Sequence, residues 1–115
     1  MLTWTVSVLM PDCAVVGAVT SGKAAIEAAR HLEPDVIVLD ISMPEMSGLE
    51  VARRLRQAGS RAALVFLSIH EEQEFVNAAM AAGALGYVIK RKVTLDLVEA
   101  IRAACAQRRF VSSIR

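Results

Sequence analysis

Four short runs, Cys13 to Val19, Asp35 to Asp40, Ala62 to Leu67 and Leu85 to Ile89, are rich in β-branched and aliphatic residues. Each is too short and too uniformly apolar to be half exposed. They therefore read as parallel strands covered on both faces. Between them lie alanine-rich stretches of helical period. Ile26, Ala29 and Leu32 recur before Pro34, and Val51, Ala52 and Leu55 before Gly59. A third helix is expected from about Glu71 to Ala82, with Phe75, Ala79 and Ala82 inward. A fourth, from about Thr94 to Gln107, is expected to bury Val98, Ile101 and Cys105. Ser47 with Glu50, and Ser68 with Glu71, have the spacing of reciprocal helix caps. Strand and helix alternate, which with right-handed crossovers predicts an open, doubly wound α/β sheet.

Composition narrows what such a sheet can do. The 115 residues suit one domain, and 13 basic against 12 acidic side chains leave a net charge of +1, too little to hold nucleic acid or an anionic membrane by bulk charge. Mean hydropathy is high, at +0.45, yet no apolar run approaches the roughly 18 residues of a membrane span. Met1 to Met10 has no basic start of the kind a signal peptide needs, so a cytoplasmic protein is expected. Cys13 and Cys105 lack metal-site spacing and read as small, reduced core residues.

Ligands of doubly wound sheets bind at the carboxyl ends of the strands, where strand order reverses. Those ends carry Asp40, Ser68 and Lys90. Singly, each has a plain reading: a solvated loop acid, a helix cap, and one of the trio Lys90-Arg91-Lys92. Together an acid, a hydroxyl and an amine form the one constellation with obvious chemistry.

The segment Asp40-Ile41-Ser42-Met43-Pro44-Glu45-Met46-Ser47-Gly48-Leu49-Glu50 closely resembles the phosphoacceptor loop of bacterial response-regulator receiver domains. So do Phe66-Leu67-Ser68-Ile69-His70, the run Ala82 to Lys90, and the tail from Ala100-Ile101-Arg102 to Phe110-Val111-Ser112. The resemblance covers about Pro11 to Ser113 and is strongest to receivers that precede a helix-turn-helix domain. It implies a flavodoxin-like three-layer fold in two-component phosphorelay signalling, with no enzyme activity of its own. On that resemblance Asp40 accepts a phosphoryl group from a histidine kinase, and Ser68 and Lys90 bind the phosphoryl oxygens. Asp40 and the backbone carbonyl of Ser42 would reach a Mg²⁺ ion. Tyr87 would be the switch aromatic, acting with Ser68; its plain alternative is core filler. Phosphoryl transfer needs positioning and charge neutralisation more than covalent help, and a lysine, a hydroxyl and a metal supply both.

The chain also departs from that pattern. Pro11-Asp12-Cys13-Ala14-Val15-Val16-Gly17 matches the entry to the family's second strand, so the first strand, its metal-binding acid pair and the first helix are missing on this alignment. A rival alignment sets Val8 to Asp12 on the first strand and keeps Asp12 as a single metal acid. Residues 1–10 alternate Trp4, Val6, Val8 with Thr3, Thr5, Ser7, the pattern of a strand. With Pro11-Asp12 as its turn, that strand can only form an antiparallel hairpin with the next. The expectation is thus one truncated receiver-like domain over 1–115, with 1–10 atypical and 11–113 receiver-like.

Two functional classes follow. One is a phosphorylatable regulator partnered by a histidine kinase, with Mg²⁺ held weakly or not at all. The other is a phosphorylation-independent dimerisation or interaction module derived from a receiver. Loss of a central strand is expected to leave the strand at Asp35 to Asp40 with an open edge, favouring a homodimer that involves the N-terminal segment. Direct DNA binding is not expected, because no helix-turn-helix segment follows, and no phosphate-cradling glycine loop suggests a nucleotide or flavin enzyme.

Overall fold

The computed structural model describes the backbone at residues 4–6, 15–19, 26–27, 30–31, 33–40 and 48–112, and side chains at 15, 26–27, 30–31, 33–39 and 49–112. Its elements are β1 (Trp4–Val6), β2 (Val15–Val19), β3 (Val36–Asp40), α1 (Gly48–Gln57), β4 (Ala63–Ser68), α2 (Gln73–Ala81), β5 (Gly86–Ile89), a 3₁₀ turn (Lys90–Lys92), α3 (Val93–Cys105) and β6 (Phe110–Val111). The four expected parallel strands appear, the last three within a residue of their expected starts. Residues 26–27 and 30–31 are helical where that period was expected; Ala29 and Leu32 lie outside the described residues.

The strands form one sheet in the order β1-β2-β3-β4-β5-β6. β1 runs antiparallel to β2, pairing Trp4 with Gly17 and Val6 with Val15, as the expected hairpin requires; the intervening residues 7–14 lie outside the description. All other neighbours are parallel. The order is consecutive among the described strands, with helices on both faces of the sheet as the doubly wound expectation requires. The expected open edge at β3 is absent, because β2 pairs with it directly, Val15 on Val36 and Val16 on Ile37. A neighbouring strand that supplies the same ladder removes the edge, whatever strand stands there.

The period of two explains why the runs look uniformly apolar. Ile37, Leu39, Leu64, Phe66, Tyr87 and Ile89 point to one face, where Val51, Ala52 and Leu55 of α1 and Val76 and Ala79 of α2 cover them. Val36, Val38, Ala63, Val65 and Val88 point to the other, under Ala100, Ile101 and Ala104 of α3. Helix, sheet and helix make the three layers of a flavodoxin-like fold.

Two helix phases differ from expectation. Phe75 is 37% exposed and Val76 is buried in its place; Val98 is likewise 37% exposed while Ala100, Ala103 and Ala104 are buried. Alanines on several sides of each helix make the phase ambiguous, and the small residues go inward where helix and sheet approach closely. The cap expected from Ser68 and Glu71 does not form: α2 begins at Gln73 after Glu72, with no side-chain cap. Ser47 lies outside the described residues, and Glu50 pairs with Arg53 and Arg54 within α1. α2 ends at Ala81 and the chain turns away at Gly83, whose φ of +100° suits glycine; a Cβ there would meet the guanidinium that Arg56 donates to the Gly83 carbonyl. Cys105, at the end of α3, is disulfide-bonded, against the expectation of a reduced thiol; the chain's other cysteine, Cys13, lies outside the description. Separation along the chain does not limit which thiols meet in space.

Candidate functional site at the carboxyl ends of the strands

Parallel pairing brings three strand tips to one end of the sheet. Asp40 closes β3 and pairs with Leu67; Ser68 closes β4 and pairs with Ile89, the last residue of β5; Lys90 follows immediately. Adjacent strands lie about 4.8 Å apart, so the backbones at Asp40 and Lys90, two strands removed, are separated by roughly 10 Å. The side chain of Asp40, together with Ser42 and Asp12, lies outside the description.

The described members are held closely. Ser68 is fully buried, and its Oγ accepts the backbone N–H of His70 at 3.0 Å. Lys90 is half-buried and engaged. Tyr87 is fully buried among the core residues, with its hydroxyl donating to the His70 carbonyl at 2.8 Å. Burial pushes the Tyr87 phenol above its ordinary pKa; the Ser68 hydroxyl opposes that rise and the Glu72 carboxylate adds to it. One residue, His70, thus links Ser68 to Tyr87, its amide on the first and its carbonyl on the second.

Two further groups at this end went unread in the sequence. Arg91 grips Glu71 through two parallel bonds, Nε to Oε2 at 2.8 Å and Nη2 to Oε1 at 2.6 Å. The guanidinium holds the Glu71 carboxyl below its ordinary range, with Lys92 contributing, and Glu71 in turn raises Arg91. Ser112, 2% exposed, accepts the Ile89 N–H at 3.1 Å and donates to Asp96 at 2.7 Å, tying the tip of β5 to the first turn of α3. Both are long-range pairings between residues of ordinary surface type, and only the proximity of Arg91 to Lys90 hinted at either.

Among the described residues no group of three or more His, Cys, Asp or Glu is placed to hold a metal, and no helix is long and apolar enough to cross a membrane. A groove of about 540 Å³ bordered by Arg30, Glu33, Asp35 and Arg61 opens at the opposite end of the sheet, away from Ser68 and Lys90.

The family model for the response regulator receiver domain matches residues 2–102. The chain belongs to that family. This receiver domain is 39% identical over 98 residues to the nitrate/nitrite response regulator protein NarL of Escherichia coli K12, covering 85% of this chain and 45% of that protein. Among solved structures it is similar to a LuxR-family two-component response regulator from Aurantimonas sp. SI85-9A1 (TM-score 0.74, 34% identity, 81% of this chain and 66% of that one). It is also similar to the receiver domain of the putative response regulator NarL from Mycobacterium tuberculosis (TM-score 0.71, 32% identity, 76% and 71%). The chain spans about half the length of the curated relatives it matches.

Proposed function

We propose that this receiver domain takes part in two-component phosphorelay signalling in the cytoplasm with Asp40 as phosphoacceptor, partnered by a histidine kinase, and that its Mg²⁺-dependent phosphorylation is impaired. The observation that carries the reading is the register that sets Asp40, Ser68 and Lys90 at the tips of three adjacent parallel strands. In the transfer, a carboxylate oxygen of Asp40 forms the new bond to phosphorus while the bond to the donor's histidine nitrogen breaks. The Lys90 ammonium and Ser68 hydroxyl balance charge on the phosphoryl oxygens. Mg²⁺, where bound by Asp40 and the Ser42 carbonyl, would supply further charge neutralisation. The impairment rests on reading Pro11 to Gly17 as the entry to the family's second strand, an alignment on which no residue from Pro11 onward stands at the family's acid pair. A phosphoryl group arriving at Asp40 then has chiefly Lys90 to offset its charge.

Incubation with Mg²⁺ and acetyl phosphate or phosphoramidate, followed by intact-mass measurement, tests this. Little or no added phosphoryl mass is expected under conditions that saturate an intact receiver, and none in Asp40→Asn. Rapid, stoichiometric, Mg²⁺-dependent modification of Asp40 would overturn the impairment and make Asp12 the next residue to mutate.

A second reading is a receiver-derived dimerisation module that works without phosphorylation. It is favoured by one observation: Tyr87 is already buried and bonded to His70 in the unmodified chain. β1, at the edge of the sheet, supports an N-terminal contribution to a homodimer.

A further inference from the structure

Ser68 and Tyr87 are both bonded to the four-residue connection, residues 69–72, between β4 and α2. Both bond to His70 there, whose amide serves Ser68 and whose carbonyl receives Tyr87, beside the direct contact between the two hydroxyls. That connection is fixed at its next residue too. Glu71 is gripped by the Arg91 fork from the 3₁₀ turn that begins at Lys90, and the His70 ring stacks on Phe75 with centroids 4.0 Å apart. The fork joins the connection that follows one proposed phosphoryl-binding residue to the turn that starts with the other.

We propose that the Glu71–Arg91 pair is a latch that holds Tyr87 buried on the His70 carbonyl, so that this receiver domain keeps its aromatic inward without a phosphoryl group. The inference rests on the reading of Ser68 and Tyr87 as the switch pair. Glu71 and Arg91 are positioning residues: neither needs to touch the phosphoryl group, and both act through the placement of His70. A bidentate fork restricts the carboxylate in two directions, which a single contact does not. If it opens, the connection is retained by the bonds of His70 to Ser68 and Tyr87 and by the His70 stack, and the phenol gains access to water.

Tyr87 is the single tyrosine of the chain, so its ionisation and nitration report on it without interference. The experiment compares the full unphosphorylated chain with Glu71→Gln, Arg91→Gln and the charge reversal Glu71→Arg/Arg91→Glu. It follows phenolate absorbance against pH, and nitration of Tyr87 by mass spectrometry. Both single variants are expected to lower the apparent phenol pKa and to speed nitration about two- to fivefold, the span of an exposed ion pair; the reversal is expected to restore both. Through-space charge alone would move the two single variants in opposite directions, since one loses an anion and the other a cation. Opposite shifts, unchanged nitration in both, or failure of the reversal to restore would each overturn the latch. Arg91→Lys, which keeps the charge and loses the fork, should fall between wild type and Arg91→Gln; equality with wild type would also overturn it. No phosphodonor is used, so a receiver that never accepts a phosphoryl group can still pass or fail this test.

Discussion

The sheet has two unlike halves. From β3 to β5 the pairing is continuous, five successive pairs between β3 and β4 and four between β4 and β5, with helices over both faces. From β3 back to β1 it becomes irregular: the register shifts between Val16 and Val19, and the last strand is a three-residue antiparallel piece. The residues proposed for phosphoryl chemistry all stand on the regular half. A phosphoryl-binding geometry tolerates little displacement and gains from rigid neighbours, whereas an edge that contacts a partner needs only a ladder to offer.

The sharpest way to break that contrast is to damage each half in turn. Phe66→Ala, in the centre of the regular half, should cost about 3–5 kcal/mol by loss of buried surface and creation of a cavity, read from chemical denaturation. Removing residues 1–9 should cost clearly less, yet convert a homodimer to a monomer by light scattering. A stable monomer before truncation, or a dimer unmoved by it, would show that the irregular half has no such role.

Ser112→Ala sharpens the comparison, because it attacks the regular half from the far end of the chain. It strands the Ile89 N–H beside Lys90 and leaves Asp96 without its donor, so a loss of about 1–3 kcal/mol is expected in the denaturation midpoint. A neutral result would mean that the tip of β5 is held by the sheet ladder alone.

The smallest effect is in pH. The folded pKa of Glu71 lies below its ordinary 4.5, so the stabilisation from its pair with Arg91 is complete above that ordinary value and is lost as pH falls through the lowered folded value. The difference in melting temperature between wild type and Glu71→Gln should therefore be small and constant near neutrality, shrink in acid, and shrink also in high salt.

How much of this could be read from residues alone follows the same division. The runs of β3, β4 and β5 announce themselves because burial on both faces demands apolar residues at every position. Even the antiparallel β1 is legible from the alternation of residues 3–8 and the turn signal Pro11-Asp12 in the sequence. Strand order was not, because lateral neighbours leave no mark on a strand buried on both sides; hence the expected open edge beside Asp40 that β2 fills. Nor were the phases of α2 and α3, where alanine fits inside or out. Glu71 fitted a local capping pattern with Ser68, and a partner twenty residues away overrode it.

The consecutive strand order also bears on how the molecule assembles. Each strand lies against the one made just before it, so every lateral ladder can close as soon as the next strand has left the ribosome, and no gap in the sheet must be kept open for a later arrival. Such a chain grows by addition at one margin, each step closing one crossover rather than waiting for a distant strand. β6, two residues long and last made, then fastens to β5 and brings Ser112 onto Ile89, so the tip that carries Lys90 is completed only when synthesis has nearly passed the domain.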